Sequence, residues 1–230
     1  MARAMAVLTL GLLAALPATA RASSLQLHAG AFFPRAESNL FSDDSQLYTV
    51  RKSDWDGFTF GGEFTINPAP HIEVGFYVDG YDEHVHTNYR DYTFPDGHEI
   101  LQTLKLTIVP FGATVRLIAG DNHSAFRPYA GVGGGLLYYQ YEEFGDFIDF
   151  QSPNLDVSSD HFVADGVTGG LHAAGGVRVR INHDFSFFGE GRYQWGKAKL
   201  GDDFRPQPGQ VGLELDLSGF SVVGGFSLRF

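Results

Sequence analysis

The sequence predicts an all-β fold: an eight-stranded antiparallel up-and-down transmembrane β-barrel with short periplasmic turns and long extracellular loops. Three observations predict it. Apolar residues recur at period two in run after run beyond residue 23, the pattern of strands with one face in an apolar medium. The connections between these runs alternate short and long, as in barrels that cross a membrane. Gly (29 residues) and Phe (21) are abundant, which suits a curved sheet better than a helical bundle.

In the first strand Leu25, Leu27, Ala29 and Ala31 alternate with Gln26, His28 and Gly30. In the second, Phe58, Phe60, Gly62, Phe64 and Ile66 alternate with Thr59, Gly61, Glu63 and Thr65. Residues 67–70, with two prolines, form a turn. Ile72, Val74, Phe76 and Val78 then alternate with Glu73, Gly75, Tyr77 and Asp79 in the third strand. Residues 100–118 form a long fourth strand, with Leu104, Leu106 and Ile108 on one parity and Val109, Phe111, Ala113, Val115 and Leu117 on the other. The change of parity at Val109-Pro110 predicts a β-bulge. The turn at Gly120-Asp121-Asn122 leads to a fifth strand at 125–140, whose facing stays open because apolar and Gly residues fall on both parities.

The sixth strand sets Leu171, Ala173, Val177, Val179 and Ile181 against His172, Ala174, Arg178 and Arg180, and Asn182-His183-Asp184 turns the chain. The seventh sets Phe185, Phe187, Tyr193 and Trp195 opposite Glu190 and Arg192, and the eighth runs through Phe220, Val222, Gly224, Phe226, Leu228 and Phe230. Short turns fall near 67–70, 119–124 and 182–184, and long polar loops near 34–54, 82–99, 141–166 and 198–212. Trp55, Tyr77, Tyr81, Tyr138, Tyr139, Tyr193 and Trp195 lie near strand ends or in the upper halves of strands, and some of them are expected to form an interfacial aromatic girdle.

If lipid takes the apolar face, the polar face must fill a lumen just wide enough for side chains. Glu63, Glu73 and Glu190 are then expected inside with His28, His172, Arg178, Arg192 and Arg229. Buried charges need partners, so these residues are expected to form one ion-paired network. Exchange of Arg192 for Glu is expected to raise conductance if that network is the plug.

Residues 1–22 read as a cleaved signal peptide: Arg3 is the basic region, 5–16 the apolar core, and Pro17 with the small residues up to Ala22 the cleavage region. Its removal takes two arginines and no acid, moving the formal charge from −11 to −13. So acidic a barrel, residues 23–230, argues against nucleic acid as a partner. With no cysteine, disulfides and thiolate metal sites are excluded.

Arg127-Pro128-Tyr129-Ala130-Gly131-Val132-Gly133 resembles the start of the fifth strand of small barrels in the OmpA/OmpX/OmpW-like superfamily. The run from Leu171 to Arg178 resembles their sixth strand, with Ala174-Gly175 in place of Gly-Ala, and the run from Ser218 to Phe230 is similar to their closing strand. The resemblance implies a signal for the barrel-assembly machinery at Phe226, Leu228 and Phe230. It also implies a Gram-negative-type outer membrane, with lipid and lipopolysaccharide as partners, and no peptidoglycan-binding domain after Phe230. OmpW-like members suggest a narrow channel for small or apolar solutes.

Other chemistry is weighed against this frame. Asp82, Glu83, His84, His86, Asp96 and His98 share one loop, and His84, His86 and His98 are candidate metal ligands. Glu142, Glu143, Asp146, Asp149, Asp156, Asp160 and Asp165 make the next loop acidic, a place for hard divalent cations. A lipid A-modifying enzyme would need a Ser-His pair with an orienting acid; His123-Ser124 and His161 near Ser158 and Ser159 lack that spacing. The expectation is a monomer without cofactor or catalysis, its lumen plugged by charge, with a structural or surface-interaction role carried by its loops.

Overall fold

The computed structural model describes residues 23–120, 124–200 and 213–230; residues 1–22, most of the predicted 198–212 loop, and His123 lie outside them. The strands are β1 (Ser23–Pro34), β2 (Gly57–Ala69), β3 (Ile72–Thr93), β4 (Glu99–Ile118), β5 (Phe126–Ile148), β6 (Val157–Arg180), β7 (Phe185–Lys199), β8 (Glu214–Asp216) and β9 (Gly219–Arg229). Each of β1 to β6 pairs antiparallel with the next, β6 pairs with β7, β7 with β9, and β9 with β1. The ring is closed. Lys197 faces Asp216 and Gln194 faces Gly219, so β8 and β9 keep one register on β7 and together make the eighth strand. Closure removes unpaired edges, which a strand in lipid cannot tolerate.

Two ends differ. At the turn end, residues 70–71 and 181–184 join strands and Ile118 of β4 lies close in sequence to Phe126 of β5; at the extended end the barrel rises well past the apolar belt. The long loops predicted at 82–99 and 141–166 are mostly strand, and the true connections are 94–98 and 149–156. The loop at 34–54 instead folds into α1 (Asn39–Leu47) and a 3-10 turn (Lys52–Trp55).

The predicted β-bulge at Val109-Pro110 is absent. Val78 faces Phe111 and Tyr81 faces Ile108, so the β3–β4 register is unbroken across it, and the β4–β5 register has no shift anywhere. What changes is the surroundings. Below this level Phe111, Val115 and Leu117 point outward and are exposed, while Thr114 and Arg116 are buried inside. Above it, Leu104, Leu106 and Ile108 are buried inside and Thr103, Lys105 and Thr107 point outward. β3 repeats the switch: Ile72 to Gly80 carry an apolar outer parity, and Asp82, His84 and His86 continue it with polar groups. That apolar run is ~9 residues, the length a tilted strand needs to cross a bilayer. Lipid therefore meets the outer face in the lower half; water meets it above, and the inside becomes an ordinary apolar core.

That upper core is closed by α1. Leu40 and Phe41 of the helix are buried with Tyr48, Val50 and Trp55 against Tyr81, Leu104, Leu106 and Tyr141. Phe41 meets Trp55 edge-on at 5.5 Å. A nine-residue helix containing Ser and Asp is too short to hold by propensity, so packing holds it. Only some of the seven aromatics are placed for a girdle. Tyr138, Tyr193 and Trp195 face outward, whereas Trp55, Tyr77, Tyr81 and Tyr139 are buried inside.

The switch makes three lysine substitutions on one strand behave differently. In urea unfolding from lipid vesicles, Thr107→Lys should change stability by less than ~0.5 kcal/mol. Val115→Lys should cost more, up to ~2–4 kcal/mol, as a lipid-facing charge within the belt. Leu106→Lys should cost most, by placing a charge in a packed interior. Tolerance at Leu106 with a loss at Thr107 would restore the bulge.

Candidate functional site

The candidate site is the charged layer inside the belt. Each of its residues lies on an inward parity between lipid-facing neighbours: Glu63 between Gly62 and Phe64, Arg116 between Val115 and Leu117. Turning a charge outward would require a one-residue slip that turns every apolar neighbour inward.

Arg116 is the hub. Its two terminal nitrogens donate to Glu63 at 2.7 and 2.6 Å, a bidentate pair, and reach Glu73 at 3.4 Å and Glu190 at 3.2 Å. Arg178 grips the other side of Glu73 at 2.9 and 3.0 Å. Arg192 donates to Glu190 at 2.8 and 3.1 Å and to Asp79, which also pairs with His28 at 2.9 Å. Tyr129 donates to Glu190 at 3.0 Å and lies beneath Arg116 and Arg178, their guanidinium carbons 5.5 and 5.7 Å from its ring centre. His172 joins through neutral partners, Tyr77 at 3.2 Å and Thr114 at 3.0 Å. Arg116 is 1% exposed and Glu73 is fully buried. Such pairing is what allows these charges to sit out of water.

Glycine makes the room. A Cβ on Gly75 would lie 1.7 Å from a Glu63 carboxylate oxygen, and one on Gly133 would lie 2.5 Å from the His172 ring.

Of the eight residues expected in this network, Glu63, Glu73, Glu190, His28, His172, Arg178 and Arg192 lie within it. Arg229 does not: it stands exposed at the turn-end rim, where the strand has already left the layer. Arg116, Asp79 and Tyr129 belong to the layer and were not singled out in the sequence. The signal for Arg116 was its place between the outward Val115 and Leu117; for Asp79 it was the parity shared with Glu73.

The plug above carries a second cluster. Asp44 of α1 is buried, has no basic partner among the described residues, and accepts a hydrogen bond from the Tyr141 hydroxyl at 2.8 Å. Burial, and then the nearby Glu143 carboxylate, push Asp44 well above the usual carboxylate range; burial pushes Glu143 up to about 7.

The remaining candidates do not converge. His84 pairs with Asp82 at 3.0 Å, His86 with Thr103 at 3.0 Å, and His98 with Asp96 at 2.9 Å in the 94–98 turn. Among the described residues no group of three or more His, Asp or Glu is placed to hold a metal. The acidic run is divided between faces: Glu142 points outward to Lys105 and His161, Glu143 inward, and Asp149 and Asp156 order the 149–156 turn. His161 bonds to Glu142 and Ser159 to Asp146, so no serine is hydrogen-bonded to that histidine.

No protein-family model matches the sequence, and no curated protein sequence matches it. Among solved structures, the outer membrane protein OprG of Pseudomonas aeruginosa is similar with a TM-score of 0.54 at 13% identity, over 91% of this chain and 95% of that one. A major outer membrane protein of Thermus thermophilus is similar with a TM-score of 0.50 at 11% identity, over 90% of this chain and 99% of that one. The likeness is one of fold. The chain shares with them the fold of an antiparallel β-barrel that closes on itself with eight strands.

Arg116→Met should cost ~3–5 kcal/mol, because it leaves Glu63 and Glu190 buried with fewer partners; urea unfolding in vesicles reads it. A loss below ~1 kcal/mol would mean the acids re-pair without the hub. Glu143 gives a pH prediction. Its carboxyl ionises near 4.5 when unfolded and near 7 when folded, so folding takes up a proton between these values. Its contribution is therefore most favourable below about 4.5, falls as pH rises, and levels off above about 7. Glu143→Gln should be more stable than the parent at pH 8 and lose that advantage at pH 4.5. An advantage independent of pH would refute the assignment.

Proposed function

We propose that this chain is an outer-membrane protein whose lumen is closed at two levels and whose working surface is the sheet standing above the belt. The observation that carries the reading is the stacking of two opposite fillings in one lumen: the Arg116 layer inside the belt and the α1 plug above it. An ion would meet paired charges at one level and an apolar core at the other. Two barriers in series conduct only when both are open, so the earlier expectation for Arg192→Glu changes: alone it should not open the pore.

The surface reading rests on the extended parts of β3 to β6. Their outer faces carry Asp82, Lys105, Glu142 and His161 in a cross-strand row of ion pairs. Leu101, Phe144 and Val163 lie exposed on that outer side. Apolar groups within a charged field suit contact with a macromolecular partner. In this reading the turns are periplasmic, residues 1–22 direct export, and outer-membrane lipid and lipopolysaccharide surround a monomer. Phe226, Leu228 and Phe230 face outward on the closing strand, where assembly machinery can read them. No reaction and no cofactor are assigned.

Single-channel recording in a planar bilayer tests the closure, after heat-modifiable gel migration confirms folding. The parent should be silent. So should Arg192→Glu, and so should a variant with residues 38–47 replaced by a Gly-Ser linker. The two changes combined should conduct steadily. Steady conductance by the parent would make it a narrow channel, and opening by either change alone would reduce the closure to one level.

A further inference from the structure

We infer that the turn-end mouth of the barrel is a binding site for a small oxyanion, a phosphate group or its equivalent. A cavity of about 210 Å³ opens there, below the Arg116 layer. Arg127, Arg178, Arg180, Arg229 and His183 line it among hydroxyls and turn residues; among the described residues no carboxylate lines it, although Asp184 bonds to His183 at 2.6 Å. At ~30 Å³ per water, the space holds a phosphate group together with part of its hydration.

The arginines are not there to satisfy one another. Arg127 stands directly opposite Arg178 in the β5–β6 register, and like charges facing across a ladder are destabilising. Arg178 is matched by Glu73 through its terminal nitrogens. Arg127 makes no ion pair among the described residues, and the Nε atoms of both arginines are buried without a partner. Arg229 adds an exposed guanidinium at the rim, also without an ion pair among the described residues. No described residue accepts from the terminal nitrogens of Arg127 or Arg229, and a multidentate anion in the cavity would offset the repulsion between the facing arginines. The planar fork of arginine favours phosphate or carboxylate over a spherical ion such as chloride. The same chemistry has two sources in an envelope: free phosphate or a phosphate ester in solution, and the phosphodiester of an anionic lipid headgroup.

The test uses the refolded protein in micelles of a phosphate-free glucoside detergent at constant ionic strength. Inorganic phosphate is titrated against chloride by calorimetry and by thermal unfolding. Saturable phosphate binding is expected, weakened about tenfold or more by Arg127→Gln, weakened in Arg229→Gln, and partly retained in Arg127→Lys. In a second arm, phosphatidylglycerol is added to the micelles. Loss of phosphate binding there, with a rise in thermal stability that Arg127→Gln lacks, assigns the site to a lipid headgroup. Unaltered phosphate binding assigns it to a free anion. Absence of saturable binding and of lipid stabilisation in the parent would overturn the inference, as would unchanged affinity in both glutamine variants. Should Arg127→Gln fail to fold, Arg229→Gln decides, since its side chain is exposed.

Discussion

The long strands β3 to β6 run through two different solvents, and most of the structure follows from that constraint. A β-strand cannot change which side chains face inward without a slip or a bulge, and β4 has neither between Leu101 and Leu117. Inside the belt its outward set must therefore be apolar and its inward set polar. Beyond the belt the same two parities must exchange roles. Val109 and Ile108, adjacent in sequence, are both apolar because the exchange falls between them.

The lumen inherits two fillings from this exchange. Where lipid takes the apolar groups, only polar side chains remain to fill the interior, and the narrow ring forces them together. The result is a layer in which Glu63, Glu73 and Glu190 share Arg116, with Gly75 and Gly133 yielding space to Glu63 and His172. Above the belt the interior resembles that of a water-soluble protein, and α1 completes it with Leu40 and Phe41. Asp44 and Glu143 lie close without a cation among the described residues, and a raised affinity for protons is the consequence. At the turn end the ring opens to water, and among the described residues Arg127 and Arg229 form no ion pair.

Much of this was legible in the residues. Alternation located all eight strands, because the lipid-facing parity is apolar and regular in runs such as Phe58 to Ile66. It also set the inward parity of Glu63, Glu73, Glu190, Arg178 and Arg192. The extended strands were not legible as strands. Their outward residues, such as His84, His86 and Glu142, are polar, and their inward ones, such as Val85 and Tyr141, pack against a plug that alternation does not reveal. The same hidden plug made a bulge the natural reading of Val109-Pro110 and left the burial of Trp55 unforeseen. Pairings across the lumen, such as Arg116 with Glu63, depend on depth around a closed ring, which parity alone does not give.

The continuity of β4 through two solvents is open to direct measurement, since the chain has no cysteine of its own. A nitroxide placed by single cysteine substitution at each position from Leu101 to Leu117 would report contact with oxygen in lipid and with a nickel chelate in water. The account predicts oxygen contact at the odd positions from Val109 to Leu117, nickel contact at the odd positions from Leu101 to Thr107, and low contact with both at every even position. Oxygen contact at the Leu104, Leu106 and Ile108 positions would contradict it, since lipid would then follow the apolar residues across a shifted register.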